Sequence, residues 1–197
     1  IIPAIPGAHE ALAAGARFAD VGCGSGHAVL LLAEAYPNSS FVGFDFSDDG
    51  LAVARSAAAD KNLTNVEFVA VDAAKLDRPN EFDIVTTFDA IHDQAFPATV
   101  LENIHDATTD TGTYLCVEPR AASQLSENML DPVAAFQYTI STMHCMSVSL
   151  AGGGEGLGTA WGTERTTEFL TTAGFGNIET VDVRPDRTNT YFVCRKS

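Results

Sequence analysis

The stretch Asp20-Val21-Gly22-Cys23-Gly24-Ser25-Gly26 sets three alternating glycines between an apolar run ending at Val21 and a helical run from Ala28 to Tyr36. A strand that turns into a helix through such a loop brings its backbone within contact distance of a ligand and leaves helix N-terminal amides pointing at it. A second candidate is Asp89-Ala90-Ile91-His92-Asp93. There an imidazole, which titrates near neutral pH, is flanked by a carboxylate that raises its basicity, a suitable pairing for a general base. Capping or packing of the following helix by His92, with Asp93 merely solvated, accounts for the same residues. A third is His144-Cys145-Met146. His144 falls off the strongest apolar stripe of its helix, so it faces either a pocket or a hydrogen-bonded place at the helix surface.

Register decides what the glycine loop holds. The dinucleotide pattern G-x-G-x-x-G needs its third glycine at position 27, which is His27 here. The strand also ends in an acid, Asp20, which would repel a pyrophosphate at close range and suits a ligand with a cationic end. In these residues the chain resembles the class I S-adenosylmethionine (SAM) dependent methyltransferases, whose first motif reads acid-x-Gly-x-Gly-x-Gly. The resemblance implies that Asp20, Gly22, Cys23, Gly24 and Gly26 hold the methionine part of SAM. It also implies that Asp45, with Phe46, accepts from the ribose hydroxyls, that Asp72 and Ala73 meet the adenine, and that Asp89 lies beside the transferable methyl. The product would be S-adenosyl-L-homocysteine (SAH), and no metal is called for. Plainer readings stand beside these: Asp45 as a strand-end acid at the next helix, where Ser47 or Asp48 also serves, and Asp72 as a surface acid.

Around these residues, strand and helix signals alternate, which predicts an α/β fold with a largely parallel sheet. Strands are expected at about 16–21, 40–45, 66–71, 82–88, 112–118, 178–184 and 190–195, and helices at about 7–14, 26–36, 48–61, 97–107, 131–150 and 164–173. Only Arg184-Pro185-Asp186-Arg187 joins the last two strands, too short for a crossover helix, so they must form an antiparallel hairpin. A Rossmann-like seven-stranded, mostly parallel sheet with a C-terminal antiparallel hairpin, in three α/β/α layers, is what the resemblance implies. Residues 119–162 exceed the minimal alternation and read as an inserted helix with a Gly-rich lid. Val133, Phe136, Ile140, Met143 and Leu150 recur near helical spacing as its packing face. The run Gly152-Gly153-Gly154-Glu155-Gly156-Leu157-Gly158 lacks the lysine of a P-loop and follows a helix, so it reads as a hinge or lid.

A chain of 197 residues is long enough for one sizeable core, hence one domain over 1–197. Eleven basic against twenty-six acidic residues give a net charge of −15, which repels phosphate backbones and anionic membrane surfaces, so no nucleic-acid or membrane partner is expected. Cys23, Cys116, Cys145 and Cys194 are far apart and lack C-x-x-C spacing, so neither a zinc site nor a disulfide framework is indicated and a cytoplasmic location is expected. The start, Ile1-Ile2-Pro3, lacks methionine and suggests a fragment.

The stretch from Asp89 to Gly162 looks like a bacterial methyltransferase branch that carries a winged-helix domain ahead of its core. That likeness implies a homodimer formed through a domain absent from these residues. Phe136, Tyr138, Met143 and Trp161 are candidates either for an apolar acceptor wall or for core. Glu118 and Arg120 either orient an acceptor or form ion pairs. Together these features predict SAM-dependent methyl transfer to a small molecule, on oxygen, with His92 or His144 as base and Asp93 beside it. A non-catalytic SAM-binding module and, behind it, a nicotinamide-dependent dehydrogenase are the alternatives.

Overall fold

The computed structural model of the chain describes residues 2–184 and 186–197. Ile1, and Pro185 in the expected hairpin turn, lie outside them. Strands β1 (Arg17–Val21), β2 (Ser40–Asp45), β3 (Val66–Ala70), β4 (Phe82–Phe88), β5 (Thr108–Pro119), β6 (Asn177–Val181) and β7 (Asn189–Arg195) form one sheet in the order β3-β2-β1-β4-β5-β7-β6. β1 to β5 pair in parallel, and β7 runs antiparallel to both β5 and β6, which is the terminal hairpin. The helices are α1 (Ala8–Ala14), α2 (His27–Ala35), α3 (Asp48–Asp60), α4 (Pro97–Ala107), α5 (Leu125–Asn128), α6 (Ala134–Ile140), α7 (Met146–Ala151) and α8 (Thr163–Thr172).

Because successive strand side chains point to opposite faces, each strand feeds two cores. Phe18 and Phe41 pack on one face with Leu12, Val29 and Leu51 from α1, α2 and α3. Their neighbours Ala19 and Val42 join the other face, with Val100, Leu101 and Ile104 of α4 and Leu170 of α8. The result is the expected three-layer, Rossmann-like sandwich. Local signals agree with the packing: Ser47 Oγ accepts from Gly50 N at 3.2 Å ahead of α3, whose first turn carries Asp48 and Asp49, and Pro97 opens α4. β1 is flanked by β2 on one side and β4 on the other, so the strand order reverses there and a crevice opens beyond the strands' C-terminal ends.

The inserted region corrects two expectations. A single helix over 131–150 is instead α6, a π-helical turn Ser141–Cys145, and α7, with α5 preceding them. Asp131 does not begin the helix; its carboxylate accepts from Val133 N at 2.8 Å in a turn ahead of α6. The packing face is also inverted. Ala134, Gln137, Ser141, Cys145 and Ser149 are buried, whereas Phe136 is 66% and Met143 78% exposed, with Val133, Ile140 and Leu150 also at the surface. Small and polar side chains let the helix lie close to its neighbour and hydrogen-bond to it: Ser149 Oγ donates to Gln94 O at 2.8 Å, and Gln137 Nε2 to Arg120 O at 2.9 Å. The Gly-rich run is tied to the loop after β4, with Glu155 N donating to Ala95 O at 3.1 Å and Gly158 N to His92 O at 3.3 Å. At Gly154 a Cβ would stand 2.2 Å from the Ala95 Cα, so glycine there serves a close backbone crossing.

Candidate active site

A cleft of about 570 Å³ opens at the crevice. One wall comes from the ends of β1 to β4: Gly22, Asp45, Phe46, Asp72, Ala73 and Asp89. The opposite wall comes from the loop after β4 and from the insertion, with Asp93, Gln94, Ala95, His144 and Val148. Residues separated by more than a hundred positions thus face one another across a space of the size that holds small ligands.

On the first wall the carboxylate of Asp45 does two things. Oδ2 accepts from Gly24 N at 2.7 Å and Oδ1 from Ser47 N at 2.8 Å, which fastens the glycine loop to the end of β2 and leaves each oxygen a further lone pair. Ser47 caps α3, so Asp45 is not needed for that. Gly22, at φ 78°, has no room for a side chain, since a Cβ would sit 2.8 Å from that of Ala90. Its backbone therefore forms the floor between β1 and β4. Asp72 caps the short turn that follows β3, accepting from Ala74 N at 3.0 Å, and still lines the cleft. Phe46 is 72% exposed, a flat apolar surface at the rim.

Other expected donor-side residues stand behind this wall. Asp20 is buried, accepts from Thr86 Oγ1 at 2.7 Å, and has its pKa pushed up to about 7 by burial, with the Thr86 bond opposing. Cys23 is half-buried, and burial together with the charges of Asp20 and Asp45 pushes its thiol up to about 12, so it is unreactive. Gly24 and Gly26 shape the loop, Gly26 in the left-handed conformation that starts α2.

Asp89 is a non-glycine residue at φ 50°, backbone strain of the kind found where a side chain must be aimed. Burial, and then the charge of Glu118, raise its pKa to about 6. The strained turn leads to His92, which is 3% exposed and does not line the cleft. Its Nδ1 lies 2.6 Å from Glu118 Oε2, the same oxygen that accepts from Trp161 Nε1 at 3.0 Å, while Glu118 Oε1 accepts from Ile91 N at 3.0 Å. Burial opposes protonation of His92, but the Glu118 bond and charge, with Asp93 and Asp89, outweigh it and raise the imidazole pKa. Asp93 Oδ1 lies 3.2 Å from His92 Nε2 yet has no hydrogen-bond partner.

The cleft therefore gathers Gly22, Asp45, Phe46, Asp72, Ala73, Asp89, Asp93 and His144, and leaves Asp20, Cys23, Gly24, Gly26 and His92 in the layer behind. Trp161 is buried on Glu118, Phe136 and Met143 point to solvent, Tyr138 accepts from Asn128 Nδ2, and Arg120 pairs with Asp182 at 3.0 Å; none of these forms the cleft. The holding of His92 by Glu118 was not anticipated. Its signal was the position of Glu118 at the end of β5, the neighbour of β4. All four cysteines are free thiols. Among the described residues, no helix is long and apolar enough to cross a membrane.

A family model described as a methyltransferase domain matches residues 12–174. Demethylmenaquinone methyltransferase of Geobacillus kaustophilus is 34% identical over 106 residues, which are 53% of this chain and 45% of that protein. The match thus spans less than half of the curated relative. Among solved structures, an O-methyltransferase family protein from Burkholderia thailandensis superposes with a TM-score of 0.70 at 17% identity, covering 92% of this chain and 51% of the other. PigF with SAH does so at 0.70 and 19%, covering 91% and 50%. At such identities the structures speak for the fold.

Proposed function

This chain belongs to the class I SAM-dependent methyltransferase family, and from that premise we propose that it transfers a methyl group from SAM to a hydroxyl of a small acceptor in the cleft. The observation that carries the proposal is the facing of two unlike walls. The Gly22 floor with the Asp45 and Asp72 carboxylates is suited to a nucleoside bearing a positively charged amino-acid arm, and opposite it His144 and Asp93 meet apolar Val148. The Asp45 and Asp72 carboxylates line the cleft on the same wall as Gly22 and can accept from the hydroxyl and amino groups of such a ligand, so the residues present fit it. PigF, of the same fold, holds SAH, and another neighbour in fold is an O-methyltransferase family protein; both are in keeping with this reading.

When bound, SAM would supply an electrophilic methyl group, its sulfur keeping the electron pair of the bond that breaks. The chain's own part is positioning and proton removal. Asp45, held by Gly24 N and Ser47 N, fixes the ribose. Asp89, on its strained backbone, stands where the glycine-loop wall meets the acceptor wall. His144 takes the hydroxyl proton, because it lines the cleft while His92 is sealed behind Asp93. His92, clasped by Glu118, positions Asp93 rather than touching the acceptor. Transfer of a tritiated methyl from SAM to a panel of phenolic acceptors tests this. Transfer by the wild type that collapses in His144→Ala is expected; undiminished transfer in that variant excludes His144 as base.

A further inference from the structure

Behind the acceptor wall, His92, Asp93 and Cys145 bring one ligand atom each, Nε2, a carboxylate oxygen and Sγ, to within 4.8 Å of one another, with His92 and Cys145 buried. The proposed methyl transfer does not use Cys145, and it leaves one fact unexplained. Asp93 Oδ1 is a buried carboxylate oxygen with no hydrogen-bond partner, although His92 Nε2 is only 3.2 Å away. A protonated imidazole makes an ion pair at this spacing, and two neighbouring ligands of one ion stand at the same separation once that proton is displaced. Around a tetrahedral zinc, nitrogen and oxygen donors at about 2.0 Å stand about 3.3 Å apart, and a thiolate at about 2.3 Å stands slightly farther from each.

The surroundings match as well. His92 presents Nε2 to the cluster because Nδ1 is bound to Glu118 Oε2 at 2.6 Å, and a histidine that ligates a metal ordinarily gives its other ring nitrogen to a carboxylate. Glu118 is itself fixed by Trp161 Nε1 and Ile91 N, so the ring cannot turn. The Cys145 sulfur lies 2.8 Å from Thr159 Oγ1, whose hydroxyl can donate to a thiolate. Glu118 Oε2 at 2.6 Å and Asp93 Oδ1 at 3.2 Å set two carboxylates against one imidazole, a surplus of negative charge that a divalent cation offsets.

We propose that His92 Nε2, Asp93 Oδ1 and Cys145 Sγ form a binding site for a zinc-class divalent cation, with its fourth position open toward the cleft that Asp93 lines. Imidazole, carboxylate and thiolate together suit zinc or cobalt rather than magnesium or calcium. Binding displaces the protons of His92 Nε2 and the Cys145 thiol to solvent, and water fills the open position. This departs from the sequence expectation of no zinc site, because the three ligands come from two segments more than fifty positions apart. It stands independently of the methyl-transfer reading, which requires no metal.

The test uses the untagged 197-residue chain after removal of metals with a chelator. Cobalt(II) is titrated as a spectroscopic probe, and zinc is titrated in competition with a chromogenic chelator. One equivalent of cobalt giving visible bands of tetrahedral type and a near-ultraviolet thiolate charge-transfer band is expected. The charge-transfer band vanishes in Cys145→Ser, zinc affinity falls at least tenfold in Asp93→Asn, and it falls about tenfold in Glu118→Gln through loss of the outer partner. Circular dichroism of each variant separates loss of a ligand from loss of the fold. Absence of the charge-transfer band in the folded wild type overturns the site, as does its persistence in Cys145→Ser.

Discussion

Along β1, β2 and β3 the strands bury Phe18, Phe41, Phe44 and Phe68, whereas from α5 to α7 the chain buries Gln137, Ser141, Cys145 and Ser149 and leaves Phe136 and Met143 in solvent. Both regions form walls of one cleft. The first is held by a sheet and two cores, so its loops can be aimed by a few backbone positions such as Gly22 and Asp89. The second is held by side-chain hydrogen bonds to the loop after β4 and by glycines that let backbones cross closely. A wall secured by hydrogen bonds rather than apolar burial belongs to the less stable end of a protein, where ligand-binding elements are commonly drawn from.

Substitutions on the two walls should therefore separate cleanly. The largest effect is expected for His144→Ala, where loss of a general base lowers turnover about 1,000-fold. Its SAM affinity by calorimetry should stay within about threefold of the wild type; a matching collapse of SAM affinity would place His144 on the donor wall instead. Next is the pH response of the donor side. The Asp20 pKa is raised from 3.8 to about 7, so over that window the folded state holds a proton that the unfolded chain has lost. The Asp20 contribution then falls as pH rises from about 4 to about 7 and is level above, a loss on the order of 4 kcal/mol. Urea unfolding across this range should show the fall in the wild type and its absence in Asp20→Asn.

Leu51→Ala, at a fully buried position under the donor loop, is expected to cost about 3 kcal/mol in the same unfolding measurement. Asp45→Ala removes the acceptor of Gly24 N and Ser47 N together with the carboxylate proposed to hold the ribose, and should weaken SAM binding about 100-fold, about 2.7 kcal/mol. Phe136→Ser, by contrast, should change stability by less than about 0.5 kcal/mol, although its side chain is larger than that of Leu51. A cost of several kcal/mol at Phe136 would mean that the exposed stripe is covered in solution and that the contrast between the regions is false.

The same contrast explains what was legible in the sequence. The glycine spacing, the acids ending β1 and β2, and the two-residue and 3.6-residue apolar periods all lie within single elements, so the sheet, its terminal hairpin and the place of Asp45 at the end of β2 could be read locally. In the insertion the apolar period was real but pointed outward. Periodicity identifies the apolar side of a helix, and the close crossing of the chain over Ala95 required small residues on the other side. The clasp of His92 by Glu118, and the approach of Cys145 to both His92 and Asp93, depend on the neighbouring of β4 with β5 and on the fold of the insertion. No spacing along the chain encodes those contacts.

The central claim is that one cleft holds the donor against Gly22, Asp45 and Asp72 and the acceptor against Asp93 and His144. A crystal structure with SAH bound tests it most directly. The ribose is expected on Asp45, the adenine beside Asp72 and Ala73, and the sulfur turned toward His144. SAH bound outside this cleft, or lying in it with its sulfur turned away from the insertion, would contradict it.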